Sequence, residues 1–85
     1  MINKMIVFVE PNCAACERVL ETAEILREQN IVANLVIFNR SIDPESCMKF
    51  GVVIFPTVYI NGQLAFYGEF SVEDAKRFVN HSVHQ

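Results

Sequence analysis

The sequence has no tryptophan, and only two histidines, three glycines and three prolines among its 85 residues. Seven basic side chains stand against ten acidic ones, a net charge of −3, with no basic block and no long acidic run. A nucleic-acid footprint needs a basic stripe, and a polybasic membrane patch needs a cationic cluster, so the charge pattern argues against both partners. No apolar run reaches the ~18 residues needed to cross a bilayer. The opening Met1-Ile2-Asn3-Lys4 leads straight into a strand pattern without a secretory cleavage site, so a cytoplasmic location is expected.

Cysteine is scarce in an informative way. Three is an odd number, which a disulfide-stapled scaffold does not favour, and reducing cytosol rarely holds structural disulfides. Cys13 and Cys16 pair by spacing and leave Cys47 over. A zinc site needs two further ligands, and Cys47 with a tail histidine, His81 or His84, is the one set available. Dithiol chemistry is the preferred reading.

What the chain has in abundance is apolar surface: 52% hydrophobic residues, seven of them Phe. One small domain with a dense core is expected, without repeats, linkers or low-complexity segments. Met5-Ile6-Val7-Phe8-Val9 reads as a central strand covered on both faces. Pro11-Asn12 ends it, and Asn12 is the expected cap of a helix over 14–30. That helix buries Val19, Leu20, Ala23 and Leu26, with Ile25 nearby, and turns Glu17, Glu21, Glu24 and Glu28 outward. A second strand is expected over 32–38. Asp43 and Pro44 open a short helix closed by Gly51, whose Ile42, Cys47 and Phe50 read as half-buried. Residues 58–60 and 64–67 form a hairpin around Asn61-Gly62. Ser71 to Asp74 opens a last helix as a near capping box, with Ala75, Phe78 and Val79 buried. Residues 81–85 are expected to fray.

Cys13-Ala14-Ala15-Cys16 therefore sits at a strand-to-helix turn. Unpaired N–H groups and the positive end of the helix dipole favour a thiolate at Cys13. Cys16, one turn further in, is placed to close a disulfide with it. Glu10 reads as a solvent-facing strand end, with proton transfer near Cys16 as the sharper alternative. Arg18 reads as a solvated helix charge, or else as a partner for a substrate carboxylate. Cys47 reads as a small core hydrophobe, with a regulatory thiol as the alternative. Phe66, Tyr67 and Phe70 read as core or half-buried filling.

The order βαβ, short helix, ββα, with Cys-x-x-Cys after the first strand, resembles the thioredoxin-fold superfamily, in particular its small, glutaredoxin-sized members. Phe50-Gly51-Val52 followed by Ile54-Phe55-Pro56-Thr57 resembles the stretch before that fold's third strand. Pro56 to Gly62 and Phe66-Tyr67-Gly68 continue the likeness. The resemblance implies a four-stranded mixed sheet of order 2-1-3-4 flanked by three helices. It implies a cis peptide before Pro56, which then faces the cysteine pair. It implies catalytic Cys13 and Cys16, and substrate binding by Phe55, Pro56, Thr57 and Gly68. The implied activity is thiol–disulfide exchange by a monomer. The partners would be disulfide-containing proteins and a thiol or flavin reductase, with no cofactor beyond the Cys13–Cys16 disulfide.

The sequence also departs from the family. Trp-Cys-Gly-Pro-Cys is absent, Ala14-Ala15 separates the thiols, and Val7 stands where thioredoxins carry a buried Asp. Glutaredoxins place Thr-Val before the proline and Gly-Gly-x-Asp later, to hold glutathione. Here Ile54-Phe55 and Tyr67-Gly68-Glu69-Phe70 occupy those places, so glutathione is expected to be a poor reductant. Alternative readings are a glutathione-dependent glutaredoxin and a redox-switched protein-binding module. A copper chaperone would carry Met two residues before the first Cys, where this chain has Pro11.

Overall fold

A computed structural model describes residues 1–83. Its elements run β1 (Ile2–Val9), α1 (Ala14–Glu28), β2 (Val32–Asn39), α2 (Pro44–Lys49), β3 (Thr57–Ile60), β4 (Gln63–Tyr67) and α3 (Val72–Val83). The sheet order is β2-β1-β3-β4, with β1 parallel to β2, and β3 antiparallel to both β1 and β4. The expected four-stranded mixed sheet and three helices are present.

β1 is central because its sequence suits burial on both sides. Met5, Val7 and Val9 enter one core with Val19, Ala23 and Leu26 of α1 and Ala75 of α3. Ile6 and Phe8 enter a second core with Cys47 of α2. The rings of Phe50, Phe38 and Tyr59 lie 5.1, 5.5 and 5.9 Å from that of Phe8. The run without polar interruption is thus the middle layer between α1 and α3 on one side and α2 on the other.

β1 begins three residues earlier than its apolar run. The N–H groups of Asn3 and Lys4 both donate to Asn61 Oδ1, and Asn61 N–H donates to the Lys4 carbonyl. A polar turn residue 57 positions away supplies what the strand's own apolar pattern does not. Asn61 and Gly62 have φ of 51° and 82°, the paired positive values of a two-residue hairpin turn.

The helix ends follow local chemistry, with adjustments. α1 stops at Glu28, short of Asn30, because Asn30 turns left-handed at φ 61°. Asn30 N–H donates to the Arg27 carbonyl and Ile31 N–H to that of Leu26, a Schellman closure. α2 ends in the same way on Gly51, with Val52 N–H donating to the Cys47 carbonyl. Asp43 caps α2 and Pro44 opens it. Ser71 and Asp74 exchange side-chain and backbone hydrogen bonds of 2.9 and 3.0 Å at the start of α3. α3 runs through Val83, so His81 belongs to a helix rather than to a frayed tail, while His84 and Gln85 lie outside the described residues. Ile25, Phe50 and Ile42 are 43%, 40% and 84% exposed. Of the three residues expected to be half-buried around α2, Ile42 turns to solvent, Cys47 is buried, and Phe50 keeps its ring against Phe8, Phe38 and Tyr59.

Candidate active site

Parallel pairing of β1 with β2, and antiparallel pairing of β3 with β1, bring four chain ends to one pole of the sheet. The ends of β1 and β2, the start of β3 and the end of β4 meet there. Each candidate residue leaves the sheet at this pole. Cys13 and Cys16 follow β1, Phe55 and Pro56 precede β3, Thr57 opens it, and Gly68 follows β4.

Cys13, rather than Asn12, caps α1. Its backbone is extended, at φ −127° and ψ 102°, and its Sγ accepts the Cys16 N–H at 3.0 Å. Asn12 instead takes a left-handed φ of 57°, which turns the chain from strand into helix. The sulfur thus occupies the position that a serine or aspartate oxygen holds in an ordinary cap. Cys13 is half-buried, whereas Cys16 is 2% exposed in the first core. The two are joined as a disulfide with Cα atoms 5.2 Å apart.

The second wall is the Phe55–Pro56 loop. The peptide between these residues is cis. Pro56 is buried, and Phe55 packs against both cores. Thr57 is 1% exposed and its hydroxyl donates to the Ile54 carbonyl, so the side chain braces the loop from within. Gly68 N–H donates to the Pro56 carbonyl at 2.9 Å. Nothing crowds a Cβ at Gly68, so its φ of +82° is the reason for glycine there. Val53 and Ile54, 84% and 51% exposed, present an apolar surface before the proline.

Two ion pairs border this pole. Arg18 reaches Glu69 at 2.8 Å, linking α1 to the segment after Gly68. Its hydrogen bond and charge hold the Glu69 carboxyl below the usual carboxylate range and push the guanidinium higher. On the other side Arg40 reaches Glu10 at 3.1 Å, and its guanidinium lies 5.9 Å from the centre of the Phe55 ring. Sequence reasoning passed over Arg40. The available signal was its place directly after β2, whose parallel pairing with β1 carries it to the cysteine pole.

Cys47 is free and buried, as a core residue should be. Burial first, and then the charge of Asp43, push its thiol above the ordinary range, with Arg40 pulling weakly the other way. Among the described residues no group of three metal-ligating side chains gathers, and no helix is long and apolar enough to cross a membrane.

Comparison with known proteins places this geometry. A family model described as a thioredoxin domain matches residues 3–80. The chain belongs to the thioredoxin family. A thioredoxin of Methanocaldococcus jannaschii is 33% identical over 58 residues, covering 68% of this chain and 66% of that protein, just under two thirds of its length. Among solved structures, thioredoxin 1 of Thermosipho africanus superposes with a TM-score of 0.71 at 18% identity, over 93% of this chain and 97% of the other. A Fasciola hepatica thioredoxin gives 0.63 at 17% identity, covering 96% and 80%. These two structures share the fold. The thioredoxin assignment rests on the family match.

Proposed function

We propose that this protein is a thiol–disulfide oxidoreductase acting on disulfide-containing proteins. The observation that carries the proposal is the asymmetry of the pair. Cys13 is half-buried and its sulfur accepts a helix N-terminal N–H, while Cys16 lies buried one turn behind. The Cys13 thiolate attacks one sulfur of a substrate disulfide. That S–S bond breaks, a mixed disulfide forms, and the departing thiolate takes up a proton. Cys16 then loses its proton and attacks Cys13 Sγ. The mixed disulfide breaks, the second substrate thiol leaves, and the Cys13–Cys16 disulfide remains.

Phe55 and Pro56 guide the substrate as an extended segment beside the sulfurs, with Thr57 and Gly68 holding the loop that presents them. The exposed Val53 and Ile54 suit a protein partner that brings an apolar side chain. The protein works as a cytoplasmic monomer without a bound cofactor. Two electrons and two protons from a dedicated dithiol or flavin reductase regenerate the thiols.

Insulin reduction tests this reading. Turnover is expected with a flavin-dependent thioredoxin reductase, and little with millimolar glutathione and its own reductase. Efficient glutathione-driven turnover would instead make the protein a glutaredoxin. Absence of turnover with both, together with partner binding that changes with redox state, would make it a switched binding module.

A further inference from the structure

At the pole that carries the thiols, one side chain spans three strand ends. Arg40 leaves the sheet after β2, where its N–H donates to the Val9 carbonyl at 2.9 Å. β1 lies between β2 and β3, so an Arg40 side chain directed along the sheet crosses the end of β1 before it meets the β3 side. Along that path it holds Glu10 at 3.1 Å and brings its guanidinium to 5.9 Å from the Phe55 ring centre. Glu10 stands three residues before Cys13, and Phe55 directly precedes Pro56. The segment leading to Cys13 and the loop leading to Pro56 are thereby tied to one guanidinium.

Its neighbours leave it little other purpose. Arg40 is 61% exposed, so it does not fill the core. An isolated surface ion pair contributes little to stability, and so does an exposed cation over a ring. Here both contacts belong to the same group, with one guanidinium N–H on the Glu10 carboxylate and the guanidinium carbon over the Phe55 ring, a combination that a compact lysine ammonium matches poorly. Phe55 is half-buried at the junction of the two cores, so its ring has room to shift when unsupported. A shift there carries the backbone that a substrate strand must meet.

We infer that Arg40 is a positioning residue for protein substrates, fixing the separation between the Cys13 turn and the Phe55–Pro56 loop through Glu10 and Phe55. This inference rests on the thiol–disulfide reading above. An extended protein segment touches both walls at once and depends on their spacing. A small disulfide needs only the exposed sulfur. Arg40 therefore acts on the binding of large substrates and not on the sulfur itself.

The test compares Arg40→Met, Arg40→Lys and Glu10→Gln with the unaltered protein on two substrates. One is insulin and the other is the small neutral 2-hydroxyethyl disulfide. Arg40→Met keeps the apolar stem and loses the charge and the fork. It is expected to lower kcat/KM for insulin by about fivefold to tenfold, mainly through KM, the scale of one lost ion pair plus one lost cation–ring contact. The 2-hydroxyethyl disulfide rate should stay within twofold and the pH midpoint of Cys13 alkylation should be unchanged. Arg40→Lys should recover part of the loss, and Glu10→Gln should show a smaller loss of the same kind.

An equal loss on both substrates would overturn the inference, as would a loss that follows the Cys13 alkylation midpoint or the melting temperature. Unchanged insulin kinetics in Arg40→Met would overturn it as well. An unaltered protein that reduces neither substrate would overturn the oxidoreductase reading and the inference together, so the two failures are distinguishable.

Discussion

Cys13 performs two tasks with one sulfur. As the α1 cap it accepts the Cys16 N–H, and as the less buried member of the pair it is the proposed attacking thiol. These tasks separate by substitution. Cys13→Ser keeps an oxygen acceptor at the cap and should abolish turnover with helix stability retained. Cys13→Ala should lose the cap as well, costing about 1 kcal/mol relative to Ser when both are unfolded by urea. Cys16→Ser keeps the attacker and removes the resolving thiol, so a mixed disulfide should accumulate on it. Mass spectrometry after exposure to a disulfide substrate checks the roles, and equal adducts on the two serine variants would show them misassigned. The Cys13–Cys16 pairing was legible in the sequence. That the cap is Cys13 rather than Asn12 was not, because a sulfur is a poorer cap than an amide oxygen by propensity alone. What decides it is the positive φ of Asn12, imposed as the chain turns from β1 into α1.

Elements were most legible where the chain carries its own punctuation. Asp43-Pro44, Gly51, Asn61-Gly62 and Ser71 to Asp74 each lie where their chemistry put them, since caps and turns are satisfied by near neighbours. Limits set by distant partners were not readable. β1 extends back to Ile2 because β2 pairs with it from Val32 and Asn61 closes the Asn3 and Lys4 amides, and a strand pattern read from residues 5–9 contains no trace of either. α3 offers a test at this scale. Hydrogen bonds from the Ser71 backbone and then its side chain hold the Asp74 carboxyl below its usual range, with Arg77 helping. A depressed carboxyl stabilises the fold above the ordinary aspartate range, near pH 4. That contribution is lost as pH falls through the lower folded value. Asp74→Asn should therefore lower the melting temperature at pH 7 and flatten its decline below about pH 4. Ser71→Ala removes the other half of the cap and should cost about 1 kcal/mol in urea unfolding.

At the scale of the molecule, one strand organises both the fold and the chemistry. β1 lines the two cores, and its continuation is the redox turn. Phe8 is fully buried among three rings. Phe8→Ala should cost about 3–5 kcal/mol, a large share of the roughly 5–15 kcal/mol that holds a small domain folded. A strongly lowered urea midpoint is expected, with redox activity lost in proportion to the unfolded fraction. An unchanged midpoint would mean that the second core is not a determinant of the fold. The sheet order and both faces of β1 could be read from sequence pattern and family likeness. The pairs Arg18–Glu69 and Arg40–Glu10 could not, since each joins elements far apart in the chain through long side chains whose direction no periodicity records.

The direction of β1 has a practical consequence. The strand runs from Ile2 toward the cysteine turn, and its seven residue steps cover roughly 23 Å. Met1 therefore emerges at the opposite end of the sheet from Cys13. α3 runs the opposite way, starting just past Gly68 at the thiol pole and bringing Val79 and Asn80 to a hollow shared with Met1 and Ile2. A protein anchored through Met1 to a bead, an electrode or a fusion partner turns its sulfurs away from the support, with the full depth of the domain between the anchor and the reacting bond.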